Sequence, residues 1–483
     1  MTDSKTGLTT HFTYDPMGRL ISRYQTGANM TQNLSYGYDS MGRVEKVSEY
    51  YSGDTSKLTT YAYDGNSRVY KVANGTSTEY YAYDMFDRLD ETYTYHGDQL
   101  VLRKNVGYEM LDERKTSHRL ISWAYTALGG HINTYNFDYD QNGNITEIRD
   151  KNFDTSYEYD SANQLIRENN QRAGKTWTWE YDEAGNITCK REYEYTTAEE
   201  LGTALDEITY LYGNESWGDL LTSYDGNAIT YDTIGNPLTD GAWTYTWEQG
   251  RQLTKMQSSS ATWNYTYNSD GLRIGRTNGT DTYTYWYDGN GKLLRMKYND
   301  IVMSFSYSAS GQPMSITYDG AVYYYLLNAQ GDVMGLIDSN GDLVVNYLYD
   351  AWGRVVRRAG SMSTTLGANN PLRYRGYVYD TETGLYYLQS RYYNPTWGRF
   401  INADNQLRYT PLGLNMFAYC LNNPVNMSDA SGEFPVWLIP MAIVSLISGI
   451  SNAATTAKDG GDFWDCLGSG IQLVSSLGLS RPS

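Results

Sequence analysis

A Tyr-Asp dipeptide returns along this chain at intervals close to about 20 residues, and no other feature restricts the fold as tightly. Tyr14-Asp15-Pro16-Met17-Gly18-Arg19 is followed by Tyr38-Asp39-Ser40-Met41-Gly42-Arg43, Tyr63-Asp64-Gly65-Asn66-Ser67-Arg68 and Tyr83-Asp84-Met85-Phe86-Asp87-Arg88. Further copies begin at Tyr139, Tyr159, Tyr181, Tyr231, Tyr287 and Tyr349, and Tyr267-Asn268 and Tyr307-Ser308 are decayed ones. Residues ahead of the Tyr alternate, as in Tyr283-Thr284-Tyr285-Trp286-Tyr287, the period-two pattern of a strand with one packed face. Asp opening a turn accepts backbone N–H groups a few residues on. In most copies a Gly three residues later supplies the left-handed backbone of a bulged turn. Arg, Asn or Lys follows, and an aliphatic residue starts the return strand.

Each unit is therefore a hairpin. One hairpin is unstable alone, so neighbours must pair edge to edge, and the right-handed twist of strands coils the ribbon. The prediction is an all-β fold: tandem hairpins forming a spiralling β-shell, cage-like or solenoidal, with one face turned inward. The repeat weakens over 86–138, which predicts longer hairpins or an insertion there.

Composition supports this over disorder. The 483 residues include 50 Tyr, 12 Trp and 46 Gly against 9 Phe and 10 Pro, and Tyr buries a large ring despite its polar tip. A net charge of -18 repels phosphate and argues against nucleic acid as a partner of the shell. Cys189, Cys420 and Cys466 are too scattered for a disulfide framework, and neither they nor the four His show metal-ligand spacing. Gly174-Lys175-Thr176 lacks the first Gly of a phosphate-binding loop, position 169 being Asn169. No cofactor and no metal is expected. Trp177, Trp179, Trp243, Trp247, Trp263 and Trp286 have two readings. Exposed, they would stack on sugar rings and suit a carbohydrate-binding adhesin at a cell surface or wall; buried, they form the inner wall and cross-strand pairs.

The repeats resemble the YD repeats of the Rhs (rearrangement hotspot) family from about residue 12 to 433. The end of that stretch is more specific: Pro371-Leu372-Arg373-Tyr374-Arg375-Gly376-Tyr377, Gly384-Leu385-Tyr386-Tyr387, Ser390-Arg391-Tyr392-Tyr393-Asn394-Pro395, Gly398-Arg399-Phe400-Ile401 and Asn422-Asn423-Pro424-Val425-Asn426. This stretch is similar to the Rhs repeat-associated core domain. The resemblance implies a repeat shell over 1–370, a closing plug over 371–433 and a variable C-terminal tail over 434–483. It implies a polymorphic toxin of a bacterium, secreted or displayed at the cell surface, that encloses or presents its own C-terminal segment as cargo, with an immunity protein and delivery machinery as partners. No signal peptide begins at Met1, and the first repeat starts at once, which predicts a fragment of a longer reading frame.

In that family the core domain cuts the chain just after itself with carboxylates, in the manner of an aspartyl protease, because two carboxylates together can activate water and polarise a carbonyl. The family's Arg-Phe-x-x-x-Asp-Pro appears here as Arg399-Phe400-Ile401-Asn402-Ala403-Asp404-Asn405, and its Asp-Pro-x-Gly as Asp429-Ala430-Ser431-Gly432, both without the proline. Carried over residue by residue, Asp404 and Asp429 are the candidate catalytic pair, Arg399 is the candidate charge partner, and the cut falls near 432–434. The same carboxylates equally suit turn capping within a structural plug. Beyond Glu433, residues 434–450 are apolar and uncharged, at the lower limit of a bilayer span, which suits membrane contact by a short, helical tail. The remainder, 451–483, carries no catalytic constellation.

Overall fold

The computed structural model describes residues 2–3, 5–28, 30–53, 56–112, 115–405 and 414–437. The predicted helical, membrane-contacting tail lies, from residue 438 on, outside the described residues.

The turn chemistry is local and repeated. Asp15 Oδ1 accepts the N–H groups of Met17 and Arg19, each at 2.9 Å, while Oδ2 accepts Arg19 Nε at 2.7 Å. Asp39, Asp64 and Asp84 do the same. The turn closes with Gly18 N–H on the Asp15 carbonyl at 2.9 Å, and Gly18 has φ 81°, a region open to Gly at little cost. The repeated Asp is thus a turn-building residue. A bulge accompanies it: Thr13 faces Ser22 but Tyr14 faces Leu20, leaving Ile21 unopposed, and the same slip recurs at Tyr38, Tyr63 and Tyr83. Bulges bend a strand and raise its twist, so repetition at every unit curls the ribbon.

The Tyr of each unit ties it to the unit before. Tyr38 donates its hydroxyl to the Leu20 carbonyl at 2.7 Å, Tyr63 to Val44 at 2.8 Å, Tyr159 to Ile145 at 2.7 Å and Tyr349 to Val333 at 2.8 Å. In the first turns, which end in Arg, the guanidinium lies over that same ring: Arg19 over Tyr38 at 4.4 Å, Arg43 over Tyr63 at 4.2 Å and Arg68 over Tyr83 at 4.5 Å. The hydroxyl explains why the position is Tyr and not Phe.

Among the described residues, nineteen strands from Thr9–Tyr14 to Asn227–Ala228 form one sheet and fourteen from Thr230–Tyr231 to Val355–Ala359 form another, each strand antiparallel to its sequence neighbour. The weak-repeat stretch is a long hairpin, Gln99–Asp112 with Lys115–Ala127. The sheets pack on each other: Arg23 Nη1 donates to the Tyr287 carbonyl at 3.2 Å, Trp123 Nε1 to Leu327 at 3.1 Å, and Ala309 N–H to the Tyr81 hydroxyl at 2.8 Å. Farther along the seam, Ala351 N–H donates to Glu168 Oε2 at 2.8 Å and Lys190 pairs with Asp350 at 3.5 Å. Burial and the charge of Asp350 push the Glu168 carboxyl up to about 8, and burial pulls the Lys190 ammonium down.

Candidate functional site

After Ala359 the chain leaves the second sheet through a short helix, Leu366–Asn369, and enters a plug with a four-stranded sheet of its own: Val378–Asp380, Leu385–Tyr387, Tyr392–Asn394 and Arg399–Phe400. Tyr374, Tyr377, Tyr386, Tyr393 and Tyr419 form its buried centre, with Tyr393 and Tyr419 ring centroids 4.1 Å apart. Their hydroxyls reach the last shell turn: Tyr374, Tyr393 and Tyr386 donate to the carbonyls of Ala351, Trp352 and Gly353 at 3.0, 2.7 and 2.9 Å.

Amide side chains seat the plug on three other turns and a backbone N–H on a fourth, and these turns end in Asn or Gln where the outer ones end in Arg. Asn423 donates to Asn144 Oδ1 at 2.9 Å, Asn422 to Gln164 Oε1 at 2.8 Å and Asn415 to Asn186 Oδ1 at 2.8 Å. Ile145 N–H donates to Asn426 Oδ1 at 2.8 Å, and Ala403 N–H to the Gly235 carbonyl at 3.1 Å in the turn that ends in Asn236. Asn and Gln keep the bond to the turn Asp yet leave an amide face bare, whereas Arg covers it with a guanidinium. On these four turns the seat of the plug coincides with a change of turn residue, whereas the last shell turn, which the plug tyrosines reach, keeps Arg354.

Asp404 and Asp429 are brought together inside this plug. Arg391 Nη2 lies 3.0 Å from Asp404 Oδ2 and 3.5 Å from Asp429 Oδ2, and all three residues are buried. Arg391 also donates through Nε to the Gly432 carbonyl and through Nη1 to the Met416 carbonyl at 3.1 Å, with its plane 3.5 Å above Phe400. Asp429 Oδ1 accepts the N–H groups of Glu433 at 2.9 Å and Phe434 at 3.0 Å, and its own N–H donates to the Tyr377 hydroxyl at 2.8 Å. The segment 429–434 is thus wrapped around the Asp429 carboxylate, with Gly432 at φ 77° and pressed against Ser390 and Leu388.

Arg399 sits elsewhere. Its guanidinium donates to the Tyr212 hydroxyl at 2.6 Å and the Asp219 carbonyl at 2.7 Å and stacks on Phe417, fastening the plug to the shell. The cation between the two carboxylates is Arg391, which sequence reasoning placed in a motif without giving it a role. Spacing alone offers no signal for that choice, since it depends on the pairing of Tyr392–Asn394 with Arg399–Phe400. The carbohydrate reading loses most of its rings: Trp177, Trp179, Trp263 and Trp286 are 1%, 3%, 2% and 8% exposed, so no sugar can stack on them.

Comparison with known proteins agrees with this architecture. A family model for the Teneurin YD-shell matches residues 1–103, 203–358 and 299–425, and one for the RHS Repeat matches 159–189. The tRNA nuclease WapA of Bacillus subtilis (strain 168) is 42% identical over 110 residues, 22% of this chain and 4% of WapA. The toxin protein Tse5 of Pseudomonas aeruginosa is 35% identical over 113 residues, 23% of this chain and 7% of Tse5. This chain therefore spans a small fraction of the curated relatives it matches. Among solved structures, the TcdB2-TccC3-Cdc42 crystal structure matches with a TM-score of 0.57 and 17% identity over 89% of this chain and 27% of that one, a likeness of fold. A Photorhabdus luminescens Tc holotoxin pore with a TccC3 substitution gives a TM-score of 0.56 at 17% identity, covering 89% and 26%.

Proposed function

Because the chain belongs to the Teneurin YD-shell family, we propose that it is the shell-and-plug portion of a bacterial polymorphic toxin, which presents its C-terminal segment and releases it by cutting itself near 432–434. Relatives described as a nuclease and a toxin, each far longer than the matched stretch, support a passenger carried beside a common shell. Secretion or surface display, an immunity partner and delivery machinery follow from the same reading.

One observation carries the release step: a buried guanidinium holds Asp404, Asp429 and the Gly432 carbonyl at once. Arg391 polarises the carbonyl and takes the charge that develops on its oxygen. Asp404 removes a proton from the attacking water, whose oxygen bonds to the carbonyl carbon. Asp429, placed by its bonds with the Glu433 and Phe434 N–H groups, enters the step as the protonated acid of the pair and gives that proton to the departing nitrogen as the C–N bond breaks. The proton taken up by Asp404 then passes to Asp429 and restores the pair. The products are a new carboxylate and a new amine, with no other reactant than water.

The test is intact-mass analysis of the purified full chain over time. A C-terminal fragment beginning within 433–435, absent from Asp404→Asn and Asp429→Asn variants that keep the wild-type circular dichroism, is the expected result. A single uncut mass at every pH tried would sink the release step and leave a structural plug in its place.

A further inference from the structure

A second pocket lies away from the carboxylate pair, where three strands of the second sheet meet the Leu366–Asn369 helix and the first hairpin of the plug. It has a volume of about 140 Å³. Tyr285 lines it, fully buried, and its hydroxyl has no protein partner; Arg276, 5% exposed, lines it with an unpartnered Nε–H. Two buried donors left unsatisfied each cost free energy unless something accepts from them. At the other end stands Glu382, whose carboxylate accepts from Arg276 Nη1 at 2.7 Å and from the Tyr283 hydroxyl at 2.8 Å and is open to solvent, so the pocket has a mouth.

The walls between are mixed, with Asn369, Asn370 and Thr381 bringing polar groups beside rings and a thioether. Tyr283 and Tyr298 stack with centroids 4.5 Å apart, and Met296 is buried beside them. Charge is already balanced, because two cations face two anions: Arg276 pairs with Asp380 and Glu382 at 3.2 and 2.7 Å, and Arg273 also pairs with Asp380. An added anion would meet the Glu382 oxygens and an added cation the Arg276 guanidinium. A neutral molecule whose groups both donate and accept, on a carbon frame that can lie against rings, satisfies every wall at once: that is a polyol. A cavity of ~150 Å³ takes a ligand of about six heavy atoms, the size of a three-carbon polyol.

We propose that this pocket is a binding site for a small neutral polyol. The reading is independent of self-cleavage and of the buried tryptophans. The experiment is ligand-observed saturation-transfer NMR with glycerol titrated into the full chain, repeated on Tyr285→Phe, which removes one hydroxyl and keeps the ring. Saturable glycerol binding, weakened about tenfold in Tyr285→Phe through loss of one hydrogen bond, is the expected outcome. No saturable binding, with ordered water alone filling the pocket, overturns the proposal, and so does glycerol binding of equal strength in Tyr285→Phe.

Discussion

The hydroxyl of Tyr181 donates to the carbonyl oxygen of Leu165 at 2.6 Å, across 16 residues of sequence, and the same bond joins one unit to the next along most of the shell. A buried carbonyl is thereby satisfied by a side chain where the bulge has interrupted the ladder. Tyr181→Phe should lower stability by about 1 kcal/mol, read as a shift of the urea midpoint. Tyr14→Phe, in an exposed outer strand at 44% exposure, should shift it by less than about 0.5 kcal/mol. Equal effects would show that the hydroxyl bond contributes nothing beyond ring burial.

The amide contacts of the plug make a separate prediction. Asn423→Ala leaves Asn144 Oδ1 without the Asn423 amide and should cost about 1–3 kcal/mol. Asn144→Arg, which gives this turn the residue of the outer turns, should cost more, because the guanidinium occupies the seat of the plug. Hydrogen exchange should quicken over 415–428 in both variants while the Thr9–Tyr38 strands stay protected. Uniform quickening would mean that the plug has no separate docking step.

Arg391→Met leaves Asp404 and Asp429 buried without the cation between them, a change that costs about 3–5 kcal/mol when a buried pair loses one partner. Adding Asp404→Asn to that background should recover part of the loss, measured by urea unfolding as a double-mutant cycle. A cycle with no coupling would place the stabilising effect of Arg391 on contacts other than the Asp404 carboxylate, the Gly432 and Met416 carbonyls and the Phe400 ring among them.

The seam between the sheets should be alkali-sensitive. The Glu168 carboxyl is raised from its ordinary value to about 8, so the folded state holds its proton more tightly than the unfolded chain does. Its contribution is whole below the unfolded value and is lost as pH climbs toward 8, with a slope up to about 1.4 kcal/mol per pH unit. Glu168→Gln stays neutral throughout, so its melting temperature should fall less than that of the wild type between about pH 5 and 8. Parallel falls in the two proteins would remove Glu168 as the cause.

Short-range chemistry is what the amino-acid sequence by itself determined. Asp15, Gly18 and Arg19 complete their turn within five residues, so Tyr-Asp-x-x-Gly-Arg read as text already specifies the hairpin, and the core motifs placed Asp404 and Asp429 in one plug. Tertiary structure alone decided the rest. It seated Arg391 rather than Arg399 between the carboxylates, buried Trp177 and Trp263, and set Glu168 beside Asp350. The reason is physical. A turn bond depends on residues two to four apart, which local backbone geometry fixes, whereas these contacts join residues far apart along the chain, 183 positions for Glu168 and Ala351 and 187 for Tyr212 and Arg399. Which of them form depends on how bulge and twist accumulate over some thirty strands, and no single repeat carries that sum.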